Sequence, residues 1–528
     1  MVSGGLIIFQ CPVCGLRVEG PLRPHILQAH GEEALKRAVL ADKERGVPDP
    51  EIGDRYGISF NTLQQIITEA YGANISVLRR PKTIKRWGPP SFREETTTVW
   101  SFKQRGDWAT HNGRYRGNWS PYIPRNVILK YSRPGDLVLD YFVGGGTTAI
   151  EAKLLGRRCI ARDINPGAVG ITLENLRFSP PRPLRPEPEW AIYEPEVQVG
   201  DARDLSDLPE NSVDLICAHP PYAGIIRYSA KIPGDLSALS VSDFRREMQK
   251  VAQESLRVLK PGAKCAILVG DARRAKHVVP IGFQTIRVFL DVGFVLKELV
   301  IKRQHNCKTT GFWYNRSIQH NFLLLAHEYL PIFEKPSAQH VREPLPLWEE
   351  GIPYRIQLGE STRTTRQDLE TTTVWIFPED QLEAEVRRNL LERFCGKGRF
   401  LEVQYEEYEE RRETLCSGNA GANMLFIRWP PLPMTEARFN GYRTCVIHLA
   451  RRSSTLLSPG GFLVVEAMDF RSNGRLIPSG LLLYEALKEQ RGLSLKEIVI
   501  VVPASPPRTR SGTDLEIIHR YLLIYLCR

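Results

Sequence analysis

The residues best placed to do chemistry surround a glycine turn. Asp140, Phe142, Gly144, Gly145, Gly146, Thr147 and Thr148 lie between an apolar strand, Leu137 to Asp140, and a helix that should start near Thr147. A strand that feeds a helix through glycines lets a ligand approach the backbone and leaves unpaired amide donors beside it. The spacing differs from the dinucleotide fingerprint, and no Lys follows the glycines, so neither a dinucleotide site nor a phosphate loop fits. Taken alone, the turn is equally a tight strand-to-helix corner. Three further strand ends make it a site. A second buried strand ends at Asp163, about 20 residues on, the distance at which a doubly wound sheet sets a carboxylate on a ribose diol. A third ends at Gly200-Asp201-Ala-Arg203, and a fourth, Val213 to Ala218, runs into His219-Pro220-Pro221-Tyr222.

A different chemistry opens the chain. Cys11, Cys14, His25 and His30 form C-x2-C-x10-H-x4-H, two thiolates and two imidazoles suited to a tetrahedral zinc ion. The gap between the pairs is shorter than in a DNA-reading finger, and Pro24 should interrupt the helix start. A structural zinc staple is expected in place of unliganded residues.

The asp-x-Phe-x-Gly-x-Gly-Thr-Thr turn followed by an x-Pro-Pro-Tyr tetrad resembles the S-adenosylmethionine-dependent amino-methyltransferases of nucleic acids, which make N6-methyladenine or N4-methylcytosine. The resemblance covers roughly residues 95 to 335. It implies a Rossmann-like class I methyltransferase fold, α/β in three layers around a seven-stranded sheet. It implies that Asp140, Phe142, Gly144, Gly146, Thr147 and Thr148 line the methionine side of the cofactor. Asp163 would then bind its ribose and Asp201 its adenine amine. The segment Thr96 to Tyr131, with Trp100, Trp108, Trp119 and Tyr122, would help wall the methionine end. His219 and the carbonyl of Pro220, with Pro221 completing the tetrad, would accept the hydrogens of the target amine while Tyr222 stacks on a flipped base. His219 departs from the family, where Asp is usual in adenine enzymes and Ser common in cytosine enzymes. A neutral imidazole offers one acceptor, in one tautomer. The implied activity is DNA methylation of the kind found in restriction-modification. An RNA methyltransferase and an inactive DNA-binding regulator are the alternatives.

The elements around the site divide the 528 residues as follows. Residues 1–32 read as zinc-finger-like and 33–78 as a helix-turn-helix. There, Asp49-Pro50 should cap a helix, Gly57 should turn, and Ser59 should cap a second helix with Leu63, Ile66, Ile67 and Ala70 on its apolar face. Asn61, Gln64, Gln65 and Thr68 would face outward, either to read base edges or as the polar side of a packing bundle. A basic stretch, 79–94, either follows a phosphate backbone or is a solvated tether. The catalytic stretch is 95–336. In it, Ser179 to Pro188 should be a surface loop, Ala223 to Val241 a mobile loop, and Lys264–Val269, Phe294–Lys302 and Asn321–His327 three closing strands.

Residues 337–369 read as a linker and 370–528 as a degenerate second methyltransferase copy. Glu95-Thr-Thr-Thr-Val-Trp100 recurs as Glu370-Thr-Thr-Thr-Val-Trp375. Leu259-Lys-Pro-Gly262 matches Leu457-Ser-Pro-Gly460, and Asp271 and Arg273 match Asp469 and Arg471, at one constant offset. His320 to Leu325 should answer His519 to Ile524. Trp429-Pro-Pro-Leu432 stands at the tetrad position, and no glycine-rich turn surrounds Gly396. This copy should therefore lack cofactor binding, and it could replace a dimer partner.

Composition sets outer limits. A net charge of +11 permits a polyanionic partner without requiring one. No run of 18 apolar residues suggests a membrane span, and ten cysteines scattered through so long a chain suit a reducing cytoplasm.

Overall fold

The computed structural model describes residues 8–45, 47–59, 62–63, 66–67, 82–113, 115, 117–179, 191–222, 232–305, 310–337, 354–362, 369–405, 421–431, 433–505 and 514–528. They form two compact units, residues 1–93 with 104–263, and residues 94–103 with 264–528. This division cuts across the stretches expected from the sequence, splitting 95–336 near residue 263.

The first unit begins with an antiparallel hairpin, β1 (Ile8–Gln10) and β2 (Arg17–Glu19), followed by α1 (Arg23–His30), α2 (Glu32–Glu44) and α3 (Asp49–Tyr56). Pro24 does not interrupt α1. It sits in the first turn, where its missing N–H costs nothing. Asp49 is inside α3 and Pro48 holds the cap position, because the Asp49 carboxylate is buried against Lys43. Gly57 closes α3 at φ 64°, and Ser59 Oγ accepts the Thr62 N–H at 3.1 Å. Leu63, Ile66 and Ile67 are buried with Cys11, Leu22, Ile26, Ile52 and Tyr56. Zinc-finger-like and helical stretches thus share one core, where two domains were expected. Asn61, Gln64, Gln65, Thr68 and Ala70 lie outside the described residues, as do Arg79 and Arg80. From Lys82 on, the basic stretch is seated on this unit. β3 (Lys82–Thr83) pairs with β7 (Phe178–Ser179), and Trp87 Nε1 donates to the Leu154 carbonyl at 2.9 Å.

The rest of the unit is a sheet in the order β8 (Glu196–Val199), β6 (Arg158–Asp163), β5 (Leu137–Asp140), β9 (Val213–Ala218), then β10 (Leu259–Ile267), parallel from β8 to β9. The apolar runs of β5 and β9 are those of strands buried on both faces. The helices are α4 (Tyr122–Tyr131), α5 (Thr147–Leu154), α6 (Pro166–Leu176) and α7 (Val241–Val258). α7 turns Phe244, Met248, Val251, Ala252, Ser255 and Val258 inward, and Ser240 caps it.

β10 continues into the second unit at Lys264. There it pairs antiparallel with β12 (His327–Glu334), which pairs antiparallel with β11 (Val295–Arg303). β4 (Val99–Ser101) adds in parallel to β11, which is why residues 94–103 join this unit. Taken through β10, the order β8-β6-β5-β9-β10-β12-β11, with β12 alone reversed, is the seven-stranded order of the Rossmann-like class I methyltransferase fold. The last closing strand lies further along than expected, at His327–Glu334 and not Asn321–His327. Asn321, at φ 46°, turns the chain after the helix Thr310–Gln319, and Leu324 bridges to Thr372.

The second unit holds another seven-stranded sheet. Its strands are β13 (Tyr354–Ser361), β14 (Val374–Phe377), β15 (Gly398–Tyr405), β16 (Ala422–Arg428), β17 (Leu457–Ala467), β18 (Leu493–Pro503) and β19 (Arg520–Cys527). The order is β13-β15-β16-β17-β19-β18-β14. Six of these repeat β5, β9, β10, β12, β11 and β4 in order, with β19 antiparallel in the place of β12. The register matches His519 and Tyr521 to His327 and Tyr329, correcting the match to His320–Leu325. β13 pairs antiparallel to β15 on the side where β6 lies parallel to β5. Among the described residues, no helix of either unit is long and apolar enough to cross a membrane.

Candidate active site

A cavity of about 70 Å³ opens beyond the C-terminal ends of β5, β6, β8 and β9, where an open α/β sheet binds ligands. Phe142, Gly144, Asp163, Asp201, His219 and Pro221 line it. The structure therefore gathers residues from all four predicted strand ends. Asp140, Gly146, Thr147, Thr148, Pro220 and Tyr222 do not line it. Asp140 is buried and accepts the Phe142 N–H at 3.0 Å, which shapes the turn. Gly146 opens α5 at φ 86°, and Thr148 Oγ1 reaches the Cys217 carbonyl at 3.4 Å.

The acids differ in their electrostatics. Burial raises Asp140 to about 7 and Asp163 to about 6, although Asp163 accepts the Gly144 and Asn165 N–H groups at 3.0 and 2.9 Å. For Asp201 burial acts upward, but the hydrogen bonds from Arg203 (2.6 Å at Nη2) outweigh it and the carboxyl is held below its ordinary value. His219 stacks on Trp119, with ring centroids 5.5 Å apart and planes 23° off parallel, and its Nε2 lies 2.9 Å from Tyr222 Oη. Residues 223–231 of the expected mobile loop lie outside the described residues, as do residues 180–188 of the proline-rich loop.

Sequence reasoning missed Tyr115, Asn118, Asn165, Asp235 and Leu236, which also line the cavity. Asn118 is the most informative. Its Oδ1 accepts the Gly145 N–H at 3.0 Å, and a Cβ on Gly145 would stand 2.3 Å from its Nδ2. A side chain at Gly145 would therefore push the Asn118 amide away from the turn. The segment reaches the turn through a buried anchor: Glu151 of α5 accepts from Trp108 Nε1 (2.6 Å), His111 Nε2 (2.7 Å) and Arg125 Nη1 (2.8 Å). Arg105 then fixes the carbonyls of Asn118 and Trp119. The indole, imidazole and guanidinium spread over residues 108–125 gave no spacing signal.

Cys11, Cys14, His25 and His30 converge, with ligand atoms all within 4.8 Å of one another. Cys14 Sγ lies 3.4 Å from His25 Nε2, and the His30 Nε2 is buried without a hydrogen-bond partner among the described residues. Four soft and borderline donors around an orphaned imidazole nitrogen fit a zinc ion.

The sheet order is that of the class I methyltransferase fold, and the cavity lies at the ends of its strands. Residues 73–174 match the DNA methylase family model, a stretch that includes the glycine turn and Asp163. The chain is 36% identical over 131 residues to a tRNA (guanine(10)-N2)-dimethyltransferase of Methanothermobacter thermautotrophicus, covering 25% of this chain and 34% of that protein. It is 27% identical over 176 residues to the type II methyltransferase M.MthZI of Methanothermobacter thermautotrophicus, covering 28% and 50%. It is 39% identical over 89 residues to the type II methyltransferase M1.MboII of Moraxella bovis, covering 16% and 34%. The chain thus spans half or less of the length of these relatives. Among solved structures, a SAM-dependent methyltransferase from Methanosarcina mazei aligns at 17% identity over 40% of this chain and 97% of its own, with a TM-score of 0.27.

Proposed function

We propose that this protein transfers a methyl group from S-adenosylmethionine to the exocyclic amine of a flipped base in DNA, giving N4-methylcytosine or N6-methyladenine. The observation that carries the reading is the shared cavity: His219 and Pro221 of the tetrad line it together with Gly144 of the glycine turn, Asp163 and Asp201. The donor set fits the cofactor, since carboxylates at the second and third strand ends accept from a ribose diol and an adenine amine. When bound, the cofactor supplies an electrophilic sulfonium methyl. The protein's part is to position the amine and accept its hydrogens, because its lone pair is delocalised into the ring. Swinging Tyr222 onto the base would break its 2.9 Å contact with His219 and let Nε2 turn to the amine as an acceptor. The cavity is far below the ~300–1,000 Å³ of ligand sites, so the Tyr115–Trp119 or Ile232–Leu236 walls have to yield on binding.

In the same reading, Cys11, Cys14, His25 and His30 hold a structural zinc, and the small core they share with the helix-turn-helix presents it to DNA. Residues 370–528 form a methyltransferase-like copy without catalytic function. This rests on β13 standing in place of β6, so that no counterparts of Asp163 and Asp201 exist among the described residues. A second reading, RNA as substrate, is favoured by the similarity to a tRNA dimethyltransferase.

The test is transfer of labelled methyl groups to mixed DNA and to total RNA in parallel, with nucleoside analysis and His219→Ala as control. Label in DNA as one of the two amino-methylated bases supports the proposal. Label in RNA alone replaces it with the second reading, and cofactor binding without any transfer points to a regulator.

A further inference from the structure

The second sheet carries a cavity of its own. It measures about 590 Å³, inside the ~300–1,000 Å³ range of small-molecule sites. It opens where β16 ends, and Trp429-Pro430-Pro431 follow that strand as His219-Pro220-Pro221 follow β9. The apolar wall is Trp429, Pro431, Met434, Met468 and Phe470. The Trp429 ring is set edge-on against Tyr442, centroids 5.2 Å apart at 77°, which fixes its orientation. Soft thioethers and an indole with a fixed plane suit a flat aromatic ligand.

The polar lining selects among such ligands. Glu466 is 3% exposed; its Oε2 accepts the Trp429 N–H at 3.0 Å and its Oε1 accepts from Arg520 at 3.2 Å. Arg520 also binds Glu383 at 2.5 Å, and Arg428 binds Glu402 at 3.2 Å. Both guanidiniums are thus committed to carboxylates. The lining sets Glu383, Glu466 and Asp469 against Arg428 and Arg520. A phosphate or carboxylate ligand meets a net negative wall, whereas an N–H donor meets acceptors.

We infer that this cavity takes an amino-bearing nucleobase from an unpaired nucleotide, stacked on Trp429 with its amine turned to Glu466. The base is held and not methylated, because the strands that would carry cofactor-binding acids are replaced by β13. The inference rests on the nucleic-acid reading proposed above and extends it from one base to two.

The test uses the full chain and a single-stranded oligonucleotide carrying 5-iodocytosine, irradiated and mapped by peptide mass spectrometry. A crosslink on the peptide containing Trp429 is expected, unchanged in His219→Ala. Met434→Arg, a substitution at a half-buried wall position, should weaken it about tenfold with the melting temperature unchanged, as should Trp429→Ala. A crosslink confined to the peptide of His219–Tyr222 would overturn the second pocket and leave the proposed activity standing. Crosslinks at neither peptide would overturn both. Labelling of the Trp429 peptide that both variants leave intact would be surface reaction and would also sink the inference.

Discussion

His219 is where the chemistry is most exposed to a single substitution. Its Nε2 lies 2.9 Å from the Tyr222 hydroxyl, so one atom serves the resting contact and, in our reading, the substrate amine. His219→Ala should lower kcat about a hundredfold, the usual loss when one positioned polar partner of the transition state goes, with little change in cofactor affinity. Tyr222→Phe keeps a stacking face and removes the competing hydroxyl, so it should retain most of kcat. Steady-state kinetics on the two variants separates these outcomes; equal losses would mean that the hydroxyl itself acts on the substrate. The acids give a pH signature. Burial raises Asp163 to about 6, and the acceptor role proposed for it requires the carboxylate. Cofactor affinity should therefore be level above pH 6 and fall below it, by at most about tenfold per pH unit, as one proton is taken up. Calorimetric titration across pH 5 to 8 reads this directly. In Asp163→Asn the slope should vanish, and a slope that survives would assign the effect to Asp140, which burial raises to about 7.

At the scale of elements, the anchor under the glycine turn can be tested for its energy. Glu151 is fully buried and holds three donors from the segment that walls the cavity. Burial pushes its carboxyl up, but His111, Arg125 and Trp108 outweigh that and its pKa is lowered in the folded protein. The stability it contributes is therefore present above the unfolded value of about 4.3 and lost as pH falls through the lower folded value. Glu151→Gln should cost about 3 kcal/mol in urea unfolding at pH 7, since it leaves Arg125 without its buried partner, and should blunt the acid-side loss seen in the parent. The N-terminal core makes a separate prediction. Its four ligand atoms lie within 4.8 Å of one another beneath a core of modest size, so chelation should unfold residues 8–67 and raise their amide exchange. Cobalt substitution should give the absorption of a tetrahedral Cys2His2 site, lost in Cys14→Ser. The elements legible in the sequence were those whose pattern is local. β5, β9 and the start of α5 fall on the residues expected, because apolar runs and glycines mark them. Asn118 and Glu151 were not legible, since each matters through a contact made only when distant segments meet. The strand placed at Asn321–His327 went astray because Phe322 and Leu323 are apolar yet buried in an irregular segment that precedes β12.

At the scale of the whole molecule, the proposed reading of residues 370–528 as a second copy accounts for a set of paired contacts within the second unit. Arg273 binds Glu497 at 2.5 Å and Arg471 binds Glu298 at 2.5 Å. His519 reaches Thr98 Oγ1 at 2.8 Å and Tyr521 Oη at 2.8 Å, while His327 reaches Thr373 Oγ1 at 2.9 Å and Tyr329 Oη at 3.0 Å. Arg287 pairs with Glu485, which is its own counterpart in the repeat. Each copy thus supplies to the other what it receives, the reciprocity of a two-fold interface. If this interface within one chain takes the place of one between two chains, the protein should sediment as a monomer near 60.0 kDa. Reciprocity also fixes an energetic expectation. Glu298 and Glu497 are both fully buried, and each accepts a backbone N–H at 3.1 Å, from Leu515 and Leu323 respectively. Glu298→Gln and Glu497→Gln should each strand one arginine and cost similar amounts, about 3 kcal/mol. Because the two pairs brace the same unit, the double variant should lose cooperative unfolding of residues 264–528, not merely sum the single losses. Denaturant unfolding followed by circular dichroism distinguishes the cases. A loss in Glu298→Gln with none in Glu497→Gln would show that the second copy is loosely held and has ceased to act as the partner of the first.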